Sequence, residues 1–169
     1  MPLIFLIGFM GSGKTTFGRK LAAKLKVEFV DIDDVVISKH QVKSIKELIE
    51  VKGMDFFRQA ESDALRSLTN AEAVISTGGG TPCYFDNLGL MKGRGVVVFL
   101  QLEEGAIFSR LKTTNLDERP LLKGLDDEGL KAFIHDKLEE RMPFYNRADM
   151  TFNPMKQKIE ELITQLQSN

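Results

Sequence analysis

The chain has 169 residues, 43% of them hydrophobic and 28% charged, which suits one domain that can bury its own core without disulfides or a structural metal. Its formal net charge is −1, so no electrostatic excess points to nucleic acid or to a membrane surface, and an acidic ligand must be held by local charges. Cys83 is the one cysteine, which excludes an internal disulfide and is typical of a reducing compartment, so we expect a cytoplasmic protein.

The amino-terminal region predicts a strand, a loop and a helix in succession. Residues 1–10 are apolar, but they are too few to span a bilayer and have no basic segment before them, so Leu3–Ile7 is interpreted as a core strand. Residues 15–25 continue with apolar side chains at helical spacing. Such a succession opens a βαβ unit.

Four further short apolar runs predict strands, at residues 28–32, 73–76, 96–100 and 150–152. Longer helical patterns separate most of these runs. Because strands and helices alternate along the chain, the sequence predicts a parallel sheet with helices on both faces.

Local signals mark two helix starts and one irregular segment. Ser44 and Glu47 predict a capping box at the start of a helix. Asn153 and Pro154 predict an N-cap followed by proline at the first position of a last helix, which runs to about Gln167. Residues 113–126 mix polar and turn residues with weak periodicity, so we expect a mobile lid there.

The loop after the first strand matches the pattern G-x-x-x-x-G-K-[ST], from Gly8 to Thr15. It lies between a predicted strand and a predicted helix, which is the context that the pattern requires. Backbone N–H groups of such a loop surround phosphate oxygens, Lys14 bridges the terminal phosphates, and the Thr15 hydroxyl can bind Mg²⁺. The alternative, a glycine-rich turn that binds nothing, is disfavoured by this context.

Three acidic residues, Asp31, Asp33 and Asp34, end the second predicted strand. Ligands of open α/β sheets bind at the carboxyl ends of the strands, and alternate residues of an extended chain lie on the same side. We assign Asp31 to Mg²⁺, held through water, and Asp33 to the proton of an attacking hydroxyl. The alternative is a solvated turn followed by a helix N-cap, a role that suits Asp34 best.

Two features in the middle of the chain suit a ligand that carries a carboxylate. Arg58 and Glu61 share a helix face at i, i+3, so the Glu61 carboxylate could fix the guanidinium and leave donors free. Gly78, Gly79 and Gly80 follow the third predicted strand and permit close approach of a ligand. A surface ion pair and a plain loop are the respective alternatives.

Three later arginines are candidates for contacts with nucleotide or substrate. Arg119 follows the polar stretch of the expected lid, which could bring one cation over the transferring phosphate. Arg110 precedes that stretch and could pack on a nucleobase. Arg141 precedes Pro143, which would disturb a long helix and allow the arginine to turn inward. For all three, a solvated surface arginine is the alternative from the residues alone.

Taken together, these motifs resemble the ordered motif set of the shikimate kinase family over nearly the whole chain. The resemblance implies a three-layer α/β fold of the P-loop class, with a five-stranded parallel sheet flanked by helices, of nucleoside monophosphate kinase type. It implies one kinase domain over residues 1–169, with a substrate-binding segment at about 33–61 and a lid at about 111–126. The motifs are residues 8–16, Asp31-x-Asp33, Phe57-Arg58-x-x-Glu61, Gly78-Gly79-Gly80, Arg119-Pro120-Leu-Leu and Arg141-x-Pro143-x-Tyr145.

The resemblance also implies a reaction and a set of site residues. The γ-phosphoryl group of ATP would pass to the 3-hydroxyl of shikimate, a step toward chorismate and the aromatic amino acids. Lys14, Asp33 and Arg119 would be catalytic, and Thr15 and Asp31 would bind Mg²⁺. We expect a monomer with shikimate as its small-molecule partner and with no nucleic acid or membrane partner. The ATP site would comprise Gly11, Ser12, Gly13, Lys14, Thr15, Thr16, Arg110, Arg119, Asn153 and Pro154, and the shikimate site Asp33, Arg58, Gly78, Gly79, Gly80 and Arg141.

Two other classes of protein share the phosphate loop. Another small P-loop kinase, acting on gluconate or a nucleoside monophosphate, would share the loop and the fold but lacks the combined acidic, glycine and arginine motifs. A regulatory domain that binds ATP without an acceptor would turn over ATP equally with and without shikimate. Within the family pattern, residues 111–118 form a slightly longer lid than expected, and the adenine contacts, here Arg110, Asn153 and Pro154, vary.

Overall fold

The computed structural model describes residues 2–168. Its strands are β1 (Leu3–Ile7), β2 (Glu28–Asp31), β3 (Ala73–Ser76), β4 (Gly95–Leu100) and β5 (Met150–Phe152). They form one sheet in the order β2-β3-β1-β4-β5, and every neighbouring pair is parallel. The predicted five-stranded parallel sheet is therefore confirmed.

Eight α-helices and two short 3-10 helices connect or follow these strands within residues 2–168. None of the helices in this part of the chain is long and apolar enough to cross a membrane. The 3-10 helices are Thr81–Cys83 and Leu116–Glu118. The α-helices are α1 (Lys14–Leu25), α2 (Ile32–His40), α3 (Ile45–Lys52), α4 (Met54–Ser67), α5 (Asn87–Arg94), α6 (Glu104–Lys112), α7 (Asp127–Tyr145) and α8 (Ile159–Gln167).

Alternate residues of β1 are buried on opposite faces of the sheet. Phe5 and Ile7 belong to an apolar cluster with residues of α2 to α7, whereas Ile4 and Leu6 belong to a second cluster with α1 and α8. This follows from the two-residue period of a strand, and burial of each large apolar side chain stabilises the fold by roughly 1.5–3 kcal/mol. The three layers are thus helices, sheet and helices.

The carboxyl ends of β1, β2 and β3 meet at one edge of the sheet. Ser76 of β3 pairs with Asp31 of β2 on one side and with Leu6 of β1 on the other. The three segments that follow these strands therefore begin side by side. They are the phosphate loop, the acidic segment and the glycine loop, which we define as residues 78–80.

The start of α2 differs from the prediction. Strand β2 ends at Asp31, and this residue caps α2, because its Oδ1 accepts a hydrogen bond from the Asp33 N–H at 3.1 Å. Asp34, which suited the alternative of a helix N-cap best, lies in the first turn instead. Asp33 is therefore helical and not part of an extended chain, and the positive end of the helix favours its carboxylate there.

The start of α3 forms half of the predicted capping box. Ser44 is the N-cap, and its Oγ accepts a hydrogen bond from the Glu47 N–H at 3.1 Å. The Glu47 carboxylate does not return to Ser44 but accepts from the Lys43 N–H at 2.6 Å. The first bond satisfies a backbone N–H in the first turn of α3, where N–H groups have no partner within the helix. The second satisfies the N–H of Lys43, the residue before the N-cap.

The last helix begins later than predicted, although it ends at Gln167 as expected. The Asn153 side chain accepts a hydrogen bond from the Met155 N–H at 2.9 Å, and its carbonyl accepts from Lys156 and Gln157. These local bonds hold a turn that competes with a helix. Helix α8 therefore starts only at Ile159, and Asn153 and Pro154 do not begin it.

Candidate active site

The phosphate loop closes around the side chain of Lys14. Gly13 caps α1 with a left-handed backbone, φ 86°, a conformation that glycine adopts without strain. The Lys14 Nζ donates to the carbonyls of Gly8 at 2.8 Å and Phe9 at 2.9 Å, and burial lowers its pKa to about 8, against the opposing charge of Asp33. The ammonium group therefore lies inside the loop and stays protonated at neutral pH.

Thr15 and Asp31 lie together beside this loop, as predicted for two ligands of one cation. The Thr15 hydroxyl donates to Asp31 Oδ2 at 2.8 Å and lies 3.4 Å from the Ser76 hydroxyl. Hydroxyl and carboxylate oxygens are hard donors that fit Mg²⁺. Residues 2–168 contain no cluster of three or more His, Cys, Asp or Glu side chains suited to a metal.

A cavity of about 510 Å³ opens next to the phosphate loop. Its volume is in the range of sites for small molecules. It lies between the substrate-binding segment, the glycine loop, the lid and α7. The predicted site residues that line it are Asp33, Arg58, Gly78, Gly79, Gly80, Arg119 and Arg141.

Two residues that line this cavity each have a buried polar atom without a hydrogen-bond partner within residues 2–168. One atom is Oδ1 of Asp33 and the other is Nη1 of Arg141, and a third such atom, Oγ of Ser12, lies in the phosphate loop. Buried polar groups are nearly always paired, so these residues are candidates for contacts with a ligand, an ion or water. Burial, and next the Asp31 charge, raise the pKa of Asp33 to about 6, whereas Lys14 opposes the shift.

The predicted pairing of Arg58 with Glu61 is wrong. Arg58 makes a 3.4 Å contact with Asp55, and its guanidinium carbon lies 4.1 Å from the centre of the Tyr84 ring. Glu61 is buried and accepts a 2.6 Å hydrogen bond from the Thr81 hydroxyl. Burial raises the pKa of Glu61 to about 7, and that hydrogen bond opposes the shift. The i, i+3 spacing permitted the pair, but side chains distant in sequence offered better partners.

Helix phase turns Arg141 inward. Helix α7 continues through Pro143 to Tyr145, so the expected irregularity at Arg141 is absent. Arg141 is 6% exposed, which excludes the alternative of a surface arginine. One turn later on the same face, the Tyr145 hydroxyl donates to the Gly79 carbonyl at 2.6 Å. The sequence pattern alone does not predict this contact of Tyr145.

The lid and the expected adenine contacts lie around the cavity mouth and the phosphate loop. Arg119 lines the cavity from the lid. Arg110 is exposed, and its Nη1 makes a long contact of 3.4 Å with the Gly11 carbonyl. Asn153 and Pro154 follow β5 at the same edge of the sheet but do not line the cavity. Thr16 lies in the first turn of α1 and is exposed.

Known proteins with similar sequences are shikimate kinases. A family model described as shikimate kinase matches residues 10–169. The shikimate kinase of Parabacteroides distasonis is 38% identical over 95% of this chain and 92% of its own length. That of Bacteroides thetaiotaomicron is 42% identical over 90% of this chain and 87% of its own length.

Solved structures agree with the sequence relatives. The crystal structure of the Bacteroides thetaiotaomicron shikimate kinase has a TM-score of 0.86 and 38% identity, covering 99% of this chain and 97% of that one. The Acinetobacter baumannii enzyme in complex with shikimate has a TM-score of 0.88 and 33% identity, covering 100% and 94%. A deoxyadenosine kinase from M. mycoides, with 17% identity and a TM-score of 0.61, shares only the fold and covers 99% and 100%. The chain therefore belongs to the shikimate kinase family and is an ATP-dependent kinase that phosphorylates shikimate.

Proposed function

We propose that shikimate binds in the 510 Å³ cavity between Asp33 and Arg141, and that its 3-hydroxyl there receives the γ-phosphoryl group of ATP held by the phosphate loop. The observation that carries this assignment is that Asp33 and Arg141 line the same cavity and that each has a buried polar atom without a hydrogen-bond partner within residues 2–168, an acceptor on Asp33 and a donor on Arg141. A ligand with hydroxyl groups at one end and a carboxylate at the other would supply hydrogen-bond partners to both residues.

Asp33 would orient the attacking hydroxyl and accept its proton. The Asp33 carboxylate is near Asp31, whose negative charge raises its pKa, and near Lys14, whose positive charge lowers it. Phosphoryl transfer passes through a loose transition state, so alignment and charge neutralisation contribute more than strong basicity. A pKa of about 6 leaves most of the Asp33 carboxylate ionised at neutral pH and able to accept that hydrogen bond.

Arg58 and Arg141 would bind the carboxylate of shikimate. Both line the cavity, and a guanidinium matches a carboxylate with two parallel N–H donors. The backbone of Gly78, Gly79 and Gly80 would form the adjoining wall.

ATP would lie along the phosphate loop. Gly11, Ser12, Gly13 and Thr16 would contribute backbone N–H or hydroxyl donors to its phosphates. The ammonium group of Lys14 would exchange its bonds to two loop carbonyls for bonds to phosphate oxygens. Arg110, Asn153 and Pro154 are proposed for the adenine end, since they lie beside the phosphate loop or after β5 at the same edge.

Mg²⁺ would be held by Thr15 and Asp31. Their oxygens lie 2.8 Å apart beside the phosphate loop, so a cation there would take ligands from both. When bound, such an ion neutralises phosphate charge. Arg119 would add a positive charge from the lid, residues 111–126, over the transferring group.

The whole chain would act as one kinase domain, residues 1–169, whose substrate-binding segment is residues 33–61. The net charge of −1 supports the absence of a nucleic acid or membrane partner. The single cysteine supports a cytoplasmic location. We expect the enzyme to be a monomer.

The test is Arg141→Lys, which keeps the charge but loses the planar pair of donors. Shikimate binding should weaken by roughly 1–3 kcal/mol, whereas binding of a non-hydrolysable ATP analogue should hardly change. Isothermal titration with each ligand measures this difference. Arg147→Lys, at an exposed arginine six residues later, is the matched control and should bind both ligands like the parent. Loss of analogue binding with normal shikimate binding would contradict the proposal.

A further inference from the structure

A chain of four buried polar side chains lies behind the glycine loop. The Ser62 hydroxyl donates to Asn87 Oδ1 at 2.8 Å, and Asn87 Nδ2 donates to the Thr81 carbonyl at 2.9 Å. The Thr81 hydroxyl then donates to Glu61 Oε1 at 2.6 Å. All four residues are at most 3% exposed. We call this set the buried polar chain.

The buried polar chain joins three elements around the glycine loop. Ser62 and Glu61 belong to α4, Asn87 begins α5, and Thr81 begins the 3-10 helix that follows the loop. The Thr81 N–H also donates to the Gly78 carbonyl at 3.2 Å. Thr81 is therefore held by three hydrogen bonds. Its hydroxyl and its carbonyl belong to the buried polar chain, and its N–H binds the glycine loop.

The glycine loop rests directly on this chain. A Cβ atom at Gly78 would lie 2.2 Å from Glu61 Oε1 and 2.9 Å from the Thr81 hydroxyl oxygen, so no side chain fits between them. On the opposite side, the Tyr145 hydroxyl binds the Gly79 carbonyl. The loop is thus fixed from α4 and α5 on one side and from α7 on the other.

Burying four polar side chains only to fill the core is energetically unfavourable compared with burying apolar ones. Each buried polar group must be paired, because leaving one without a partner destabilises the fold, and apolar side chains of similar shape could fill the same space. Ser62, Asn87 and Thr81 do not line the cavity, whereas Glu61 and Gly78 do. The bonds therefore converge from the core onto one wall of the cavity.

We propose that Thr81 and Asn87 are positioning residues for shikimate binding, which hold the glycine loop in its binding geometry without touching the substrate. Thr81 acts through its hydrogen bonds to Glu61 and to the Gly78 carbonyl, and Asn87 acts through its hydrogen bond to the Thr81 carbonyl. This inference rests on the proposed placement of shikimate in the cavity. The loop is then preorganised, so shikimate binding does not have to order it.

Thr81→Val tests the inference, because it replaces the hydroxyl with a methyl group of similar size. Shikimate affinity should fall about tenfold, as for one buried hydrogen bond, while affinity for a non-hydrolysable ATP analogue stays within about twofold. Thr81→Ser keeps the hydroxyl and should restore most of the shikimate affinity. Thr81→Ala removes both the hydroxyl and the γ-methyl group, and it should weaken shikimate binding at least as much as Thr81→Val.

Leu162→Ala is the control for general destabilisation. Leu162 is completely buried in the apolar cluster of α1 and α8, on the other face of the sheet, and it does not line the cavity. This substitution should lower the thermal midpoint as Thr81→Val does but change shikimate affinity by less than about threefold. Equal losses of shikimate affinity in the two variants would overturn the inference.

Two further outcomes separate this inference from the proposed function. If Arg141→Lys weakens shikimate binding but Thr81→Val does not, the cavity assignment stands and the positioning role is overturned. If neither variant changes shikimate binding, both the cavity assignment and the positioning role fall. A loss of shikimate and ATP-analogue affinity to the same extent in Thr81→Val would assign Thr81 to general stability alone.

Discussion

The orientation of Arg58 depends on an aromatic ring. Its guanidinium carbon lies 4.1 Å from the centre of the Tyr84 ring, whereas its contact with Asp55 is 3.4 Å long and involves a fully solvated carboxylate. A guanidinium stacked on a ring face keeps its N–H edges free to bind a carboxylate. Tyr84 also lines the cavity, so it supports Arg58 from within the site.

Tyr84→Leu should therefore weaken shikimate binding by about 0.5–2 kcal/mol, the usual contribution of a cation–π contact. Tyr84→Phe keeps the ring face and should bind shikimate nearly as the parent does. Isothermal titration of both variants at one pH measures the difference. Equal weakening in the two variants would assign the effect to the tyrosine hydroxyl, and an unchanged Tyr84→Leu would show that the ring does not orient Arg58.

Individual residues were predictable where their chemistry is local in sequence. The loop from Gly8 to Thr15 is contiguous, so its spacing alone indicated both its conformation and the placement of Lys14. The partner of Arg58 was not predictable, because Tyr84 reaches it through the packing of a segment 26 residues away. The partner of Glu61 was not predictable either, because the helical spacing fitted a solvated face. In the structure the Glu61 carboxylate is buried in the core and accepts its hydrogen bond from Thr81.

Among the elements, the lid is anchored to the core by buried leucines. Leu111 and Leu122 are completely buried in the larger apolar cluster, whereas Leu121, adjacent to Leu122, is 41% exposed and lines the cavity. Between the two anchors, Glu118 lies 4.0 Å from Lys46 of α3, a solvated pair that contributes little stability. The buried leucines therefore attach the lid to the core, and the ion pair adds little to that attachment.

Leu122→Ala should lower the free energy of unfolding by about 2–5 kcal/mol, because it removes a buried side chain and leaves a cavity. Leu121→Ala should change that free energy by less than about 0.5 kcal/mol, since much of the side chain is already in water. Urea unfolding of the substrate-free proteins measures both. Comparable destabilisation by the two substitutions would contradict the proposed anchor.

Element types were easier to predict than element starts. The strands followed from short apolar runs, and β1, β3 and β5 have the predicted bounds. Helix α8 starts five residues later than expected, because the side chain and carbonyl of Asn153 both bind local N–H groups and hold a turn. Asn153 could begin a helix or hold a turn. Packing decides between these two hydrogen-bond patterns, and the sequence pattern does not contain that packing.

At the scale of the whole molecule, the strand order determines where the site lies. With β1 between β3 and β4, the phosphate loop is central, and the acidic and glycine segments follow on one side. Periodicity predicted a parallel sheet but could not order its strands, because the pairings join residues far apart in sequence. To predict the cavity, one would have needed this strand order and also the positions of the lid and of α7.

The buried charge of Glu61 should make the stability of the whole molecule depend on pH. Its carboxyl is 3% exposed, and burial raises its pKa to about 7 from the ordinary value of 4.5. Between these values the folded protein binds a proton that the unfolded chain has released. Glu61 therefore contributes stability that is fully present below about pH 4.5 and is lost as the pH rises through about 7.

Glu61→Gln removes this proton linkage but keeps an oxygen that can accept the Thr81 hydrogen bond. Between about pH 5 and about pH 8, the parent should lose roughly 1–3 kcal/mol more stability than the variant, at about 1.4 kcal/mol for each unit of pKa shift. Urea unfolding of the substrate-free proteins at both pH values measures this. His135, whose pKa is raised by Glu104, titrates in both proteins, so its effect cancels in the difference. Asp33, whose pKa is also raised, interacts with Glu61 through its charge, so the difference also includes the loss of that interaction. Parallel pH profiles would mean that Glu61 is not a buried ionising group in the folded protein.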